Sequence, residues 1–143
     1  IILDNSITGM TGHQQNPATG KDIRGDAAPA VDLEQLCRAL GVSDVKTVDP
    51  FDMPALREAL LASLAFDGPS VIIARRPCAL LSKARTAPLR VTQSCIGCRR
   101  CMGIACPALI FEAGRARVDI SLCNGCGLCA SVCPKGAIVK EEM

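Results

Sequence analysis

The apolar positions in the first half of this chain switch between the two periods of strands and helices. Ile1-Ile2-Leu3 is a short apolar run that stops at Asp4-Asn5, which predicts the end of a buried strand. Residues 13–31 (HQQNPATGKDIRGDAAPAV) follow no period and are rich in Gly, Pro, Asn and Asp. A loop of that length inside a domain usually carries function. Asp32 is placed to cap a helix, with Gln35 three residues on as in a capping box. Leu33, Leu36, Cys37 and Leu40 then share one helical face, and Gly41 ends it. Val45 to Val48 predicts a short strand, turned by Asp49-Pro50. Asp52 caps a second helix, whose Met53, Leu56, Leu60 and Leu64 recur at helical spacing, with the stripe Leu56, Leu60 and Leu64 expected in the core, and Gly68-Pro69 breaks it. Ser70-Val71-Ile72-Ile73-Ala74 is a continuous apolar run, as in a parallel strand covered on both faces. The alternation predicts an α/β parallel-sheet domain with right-handed crossovers over residues 1–82.

Residues 83–88 (KARTAP) read as a polar linker, and residues 89–143 as a small α+β domain that repeats itself. Cys95, Cys98 and Cys101 recur as Cys123, Cys126 and Cys129, each at the same interval (123 − 95 = 28). Cys106-Pro107 recurs as Cys133-Pro134, one residue closer. Each half is expected to begin on a short extended segment, Leu89–Thr92 or Arg117–Ile120, and to leave on another, Leu109–Phe111 or Ala137–Val139. Such halves pack by a pseudo-two-fold.

Composition narrows the chemistry. Apolar residues make up 49% and aromatic ones only 2%, with no Trp and no Tyr, so Leu, Ile, Val and Ala must build the core. A formal net charge of +2 gives no argument for nucleic acid or an anionic membrane surface. No apolar run approaches the roughly 18 residues that would span a bilayer. The chain opens on Ile1-Ile2-Leu3-Asp4-Asn5, without a basic leader or cleavage site, and reads as the C-terminal part of a longer cytoplasmic polypeptide. Ten cysteines in such a chain point to metal rather than disulfides.

The second half-repeat is C-x2-C-x2-C-x3-C-P, the run of bacterial ferredoxins, and the first is one residue longer before its last Cys. Three closely spaced thiolates can converge on one cubane, and Gly97, Gly125 and Gly127 allow tight turns that aim backbone N–H groups at sulfur. In two-cluster ferredoxins the fourth Cys of each run ligates the other cluster. One [4Fe–4S] cluster is then expected on Cys95, Cys98, Cys101 and Cys133. A second is expected on Cys123, Cys126, Cys129 and Cys106. Four-thiolate zinc is the competing reading, but it needs neither the third Cys nor the following Pro. Arg99, Arg100, Arg115, Arg117 and Lys135 surround the motifs. They read either as solvated charge offsetting anionic clusters or as a docking face for an acidic ferredoxin.

The segment Leu3-Asp4-Asn5-Ser6-Ile7-Thr8-Gly9-Met10-Thr11-Gly12-His13-Gln14 follows the first strand, and parallel sheets bind ligands at the C-terminal ends of their strands. Asn5 could offer a side-chain oxygen to a divalent cation there. A plain Asx turn is the alternative. This segment resembles the end of the thiamine diphosphate motif of 2-oxoacid:ferredoxin oxidoreductases. Its form LDN…T-x-MTGHQ, the stretch Val71–Leu80, the linker, the double Cys run and the longer spacing before Cys106 together look like the indolepyruvate:ferredoxin oxidoreductase alpha subunits.

The resemblance implies that Asn5 ligates the Mg2+ that holds the diphosphate, and that Ile7 gives its backbone carbonyl to the same ion. It implies that Met10, Thr11 and Gly12 line the thiazolium side. Gly9 stands where Ala is the family's residue. The Gly-Asp-Gly-like first half of the motif would lie upstream of Ile1, so thiamine diphosphate and Mg2+ would be shared with that part. His13, the single His, is a candidate catalytic group or a loop hydrogen-bonder. Cys37 reads as a buried thiol, and Cys78 as packing or a neighbour of the cofactor site. The activity implied is oxidative decarboxylation of aryl 2-oxoacids such as indolepyruvate to acyl-CoA. Electrons would pass through two clusters to soluble ferredoxin, with a smaller beta subunit as partner. A sister enzyme acting on pyruvate or a branched-chain 2-oxoacid, and a non-catalytic ferredoxin-type carrier, are the alternatives.

Overall fold

The protein is described by a computed structural model over residues 1–81 and 86–140, with Thr11 and Leu80 represented by their backbone alone. It divides into two units, Ile1–Leu81 and Ser82–Met143. Residues 83–85 of the expected linker lie outside the described residues.

The first unit runs β1 (Ile2–Asp4), a 3-10 turn at Gly9–Thr11, α1 (Leu33–Ala39), β2 (Asp44–Val48), α2 (Met53–Ala65) and β3 (Ser70–Arg75). The strands form a parallel sheet in the order β1-β3-β2, with Ile2 opposite Ile73 and Val45 opposite Val71. The central strand is the β-branched run read from the sequence. Ile73 has no exposed surface and packs with Cys37 of α1 and Val45 of β2. Ile72 and Ala74 alternate to the opposite face and are also buried, while α2 packs on β2 and β3. The chain passes β3 in going from β1 to β2 and then returns. Connections of one hand therefore place α1 and α2 on opposite faces.

Side chains start and stop these helices. The Asp32 carboxylate accepts the N–H groups of Glu34 and Gln35 at 2.9 and 3.1 Å. Gln35 reaches back to the Asp32 side chain at 3.1 Å rather than to its backbone, so only half of a capping box forms. Val42 N–H donates to the Cys37 carbonyl and Gly41 N–H to that of Arg38, a Schellman closure. Asp52 caps α2 by accepting Ala55 N–H at 3.1 Å.

The expected leucine stripes are only partly core. Leu64 is 82% exposed, whereas Leu56 and Leu60 are half-buried and Ala59 is buried. At 3.6 residues per turn, Leu64 stands about 80° around the helix from Leu56, and Ala59 lies about 60° to the other side. The packed face is therefore centred on Leu56, Ala59 and Leu60. On α1, Leu40 is the C-cap residue and is 76% exposed, because the chain has already left the helix there. Leu36, also exposed, lies about 100° from Cys37 around α1.

The second unit contains β4 (Leu89–Val91), a 3-10 turn at Arg100–Ile104, β5 (Leu109–Glu112), β6 (Arg115–Val118), α3 (Leu128–Ser131) and β7 (Ile138–Lys140). β4 pairs antiparallel with β7, and β5 with β6. Ala113 and Gly114 turn the β5–β6 hairpin with φ of 48° and 75°, as a type I′ turn demands. The halves correspond closely. Thr92 N–H donates to the Ala137 carbonyl, and Asp119 N–H to that of Ala108, both at 2.8 Å. The matching interval for these strands is thus 27 (119 − 92), not 28. Leu89–Val91 corresponds to Ala116–Val118, which shifts the expected segment Arg117–Ile120 back along the chain. One extra residue follows β6, in a turn where Asp119 accepts the Ser121 N–H at 2.9 Å.

Candidate functional site

The core of the second unit is largely sulfur. Leu89, Leu109, Ala116, Val118 and Ile138 are buried together with Cys101 and Cys129, and Cys95, Cys106, Cys123 and Cys133 pack against them. Gly97 and Gly125, at φ of 67° and 69°, fold each Cys run back on itself. The N–H groups of Gly125 and Leu89 then donate to Cys123 Sγ, each at 3.4 Å. At the matching place in the other half, Ala116 and Gly97 N–H groups donate to Cys95. These donors hold the Cys95 thiol below its ordinary pKa, the nearby Arg115 adding to the effect. Ala137 N–H donates to Cys133 Sγ at 3.3 Å.

The two remote cysteines cross over. Cys101 is surrounded by Cys133, Cys95 and Cys98, and burial, followed by those neighbours, pushes its thiol up. Cys129 is pushed up to about 11 by burial and then by Cys126, Cys123 and Cys106. Cys95, Cys98, Cys101 and Cys133 line one pocket, open to solvent, with Ile96, Arg99 and Phe111. Four sulfurs on a tetrahedral zinc ion would stand only about 3.8 Å apart, given Zn–S bonds near 2.3 Å. Among the described residues, no three Cys, His, Asp or Glu side chains gather closely enough for a single ion. Sulfurs spread around a cavity fit a cluster, whose ligands bind different irons.

At the sheet, the loops after β1 and β3 leave the same edge side by side. Arg76 N–H donates to the Asp4 carbonyl and Cys78 N–H to that of Asn5, at 3.0 and 2.9 Å. Arg75 Nε donates to Asp4 Oδ2 at 2.8 Å. Asn5 Oδ1 accepts the Ile7 N–H at 3.2 Å, closing an Asx turn in which Ser6 has φ of 60°. Ile7 is buried. Reciprocal backbone bonds join Thr8 to Gln14 around the turn Gly9–Thr11. Met10 at its tip is 97% exposed, and His13, at φ of 62°, is exposed as well.

The sulfur of Cys78 lies against Gly9, within 3.9 Å of where a Cβ would stand. Arg75 and Cys78 thus join the strand-end loop. The sequence offers Cys78 as packing or as a neighbour of the cofactor site, and Arg75 only as part of the stretch Val71–Leu80. The Asn5 side-chain oxygen and backbone carbonyls are hard donors of the kind Mg2+ takes.

The family model for the thiamine pyrophosphate enzyme C-terminal TPP binding domain matches residues 1–74, just over half of the chain. The chain belongs to the thiamine pyrophosphate enzymes. That match covers the whole Asn5–Gln14 loop and the parallel sheet behind it. A 4Fe-4S binding domain model matches residues 116–139, which contain Cys123, Cys126, Cys129 and Cys133. Among curated relatives, an indolepyruvate oxidoreductase subunit IorA of Archaeoglobus fulgidus is 45% identical over 96% of this chain and 23% of its own length. The subunit of the same name from Methanothermobacter marburgensis is 40% identical over 99% of this chain and 23% of its own. A pyruvate synthase subunit PorD of Thermotoga maritima is 44% identical over 36% of this chain and 54% of its own. The chain therefore spans about a quarter of the length of the IorA relatives. Among the described residues, no helix is long and apolar enough to cross a membrane.

Proposed function

We propose that this chain supplies part of the thiamine diphosphate site and the electron-transfer unit of an oxidoreductase that decarboxylates aryl 2-oxoacids such as indolepyruvate. The observation that carries the proposal is the joining, in one chain, of a thiamine-family sheet with an exposed Asn5 loop and a doubled four-cysteine unit. Residues 1–82 form the thiamine-binding portion and residues 89–143 the electron-transfer domain. Cys95, Cys98, Cys101 and Cys133 hold one [4Fe–4S] cluster, and Cys123, Cys126, Cys129 and Cys106 the other. Asn5 and the Ile7 carbonyl ligate Mg2+, and Met10, Thr11 and Gly12 border the cofactor, with the rest of that site supplied from outside this chain.

Bound thiamine diphosphate supplies the electron sink for decarboxylation, and iron–sulfur clusters accept the released electrons singly. Within this division of labour, Asn5 fixes the ion, and the buried Cys101 and Cys129 anchor their centres in the core of the second unit. The partners are a smaller subunit, coenzyme A and a soluble ferredoxin, in a cytoplasmic complex.

Asn5 gives the direct test. Asn5→Ala in the holoenzyme should weaken thiamine diphosphate binding at least about tenfold, as loss of a tuned metal contact does, while iron content stays unchanged. A residue that only closes an Asx turn would instead cost about 1 kcal/mol of stability and leave cofactor affinity alone. Calorimetric titration of the cofactor separates the two.

For substrate choice, kcat/KM for indolepyruvate or phenylpyruvate should exceed that for pyruvate by about thirtyfold. Burying an aromatic ring rather than a methyl contributes on the order of 2 kcal/mol. Competition among these keto acids with viologen reduction as readout checks it. A preference for pyruvate would move the assignment to the sister enzyme.

A further inference from the structure

The two halves of the cysteine unit are alike in backbone and unlike in charge. Arg99 corresponds to Gly127 at the 28-residue interval of the cysteines. Both are left-handed, at φ of 62° and 83°, and both stand at the head of the following helical turn. A non-glycine residue is strained there, and its half-repeat counterpart avoids that strain. The Arg99 guanidinium lies 4.2 Å from the centre of the Phe111 ring and lines the cavity of Cys95, Cys98, Cys101 and Cys133.

Arg100 corresponds to Leu128 at the same interval. Arg115 precedes Ala116, whose N–H donates to Cys95; the matching residue before Leu89 is Pro88. The Arg115 guanidinium donates to the Thr92 carbonyl at 3.1 Å, on the segment that leads into Cys95, and its charge helps hold the Cys95 thiol below its ordinary pKa. Lys135 belongs to two residues, Lys135-Gly136, that the other half lacks between its Cys-Pro and the matching alanine. It lines the same cavity. Arg117, by contrast, is tied to Glu112 at 2.7 Å.

We propose that Arg99, Arg115 and Lys135 make the Cys95–Cys98–Cys101–Cys133 centre the higher-potential of the two and the exit through which electrons pass to a small acidic one-electron carrier protein. This inference rests on the two-cluster reading above. Hydrogen bonds to cluster sulfurs, net charge and exposure set cluster potentials. Reduction adds one negative charge, which nearby cations stabilise. The electron falls toward this centre from its counterpart, whose half carries Gly127 and Pro88 where this one carries Arg99 and Arg115. Each electron that leaves reduces one oxidised acceptor and returns the centre to its oxidised form. Cys98 and Ile96 are exposed on the same rim, so an acidic surface can approach closely.

The test is a redox titration of anaerobic holoprotein followed by electron paramagnetic resonance. Two separated midpoints are expected. Arg99→Gly and Arg115→Leu should each lower the upper midpoint and leave the lower in place, Arg115→Lys should restore it, and Gly127→Arg should raise the lower one. Coincident midpoints in the wild type, a shift of the lower midpoint in Arg115→Leu, or no shift in any variant, would overturn the proposal. Iron and sulfide for a single cluster, measured beforehand, would fail the two-cluster reading instead. With an acidic bacterial ferredoxin as acceptor, Arg99→Gly combined with Lys135→Ala should slow its reduction about tenfold at low salt, the difference fading at high salt. Equal rates at low salt would contradict docking at this rim.

Discussion

Stripping the iron from this protein under anaerobic conditions should unfold residues 86–140 and leave residues 1–81 folded. The second unit has little else to hold it. Its sheets are two-stranded pairs with strands of three or four residues, too short to be stable alone. Two of the seven buried residues in its core cluster are cysteines, and four more cysteines pack against that cluster. Without iron, Cys101 and Cys129 remain protonated thiols that fill space loosely. Metal binding there deprotonates the thiols and is itself folding free energy. The first unit has an independent core at Cys37, Val45 and Ile73. Hydrogen exchange should therefore lose protection at Ile110, Val118 and Val139 and retain it at Val45 and Ile73. Retained protection throughout the iron-free cysteine unit would show that its packing does not depend on metal.

Gly97→Ala and Gly125→Ala should each cost one cluster, close to half of the iron. The two positions are equivalent, and each has a positive φ that L side chains rarely adopt. Each also faces backbone with no room to give. A Cβ on Gly97 would collide with the Gly114 carbonyl oxygen of the β5–β6 turn. One on Gly125 would collide with the Thr86 hydroxyl and stand 2.5 Å from the Ala87 carbonyl oxygen. Relief requires moving the N–H groups that face Cys95 and Cys123, which opens the ligand set. Gly103→Ala, where a Cβ meets open space, is the control and should keep all its iron. Full iron in Gly97→Ala or Gly125→Ala would refute this account of the turns.

Much of the fold was legible because its signals are local. The run Ser70–Ala74 is short, β-branched and bounded by Gly68-Pro69, as a strand covered on two faces should be, and Asp32 and Asp52 announce their helices by the bonds their carboxylates can make. The repeated cysteines revealed the symmetry. What escaped depended on geometry beyond the residue period. Leu64 keeps the four-residue spacing of Leu56 and Leu60 yet drifts off the packed face of α2. The strand interval differs from the cysteine interval because one residue is taken up after β6, which no spacing of apolar residues discloses. Arg115 carried no motif, and only the folded hairpin brings it to Cys95. Arg75 reaches the Asn5 loop, alongside the Cys78 already read as packing or a neighbour of the cofactor site, because β1 and β3, far apart in sequence, are neighbours in the sheet.

The most direct measurement of the central claim is the iron, acid-labile sulfide and zinc content of one anaerobically prepared sample. The account predicts about eight iron and eight sulfide per chain, with no stoichiometric zinc. Four iron and four sulfide, or stoichiometric zinc without iron after anaerobic reconstitution, would contradict it.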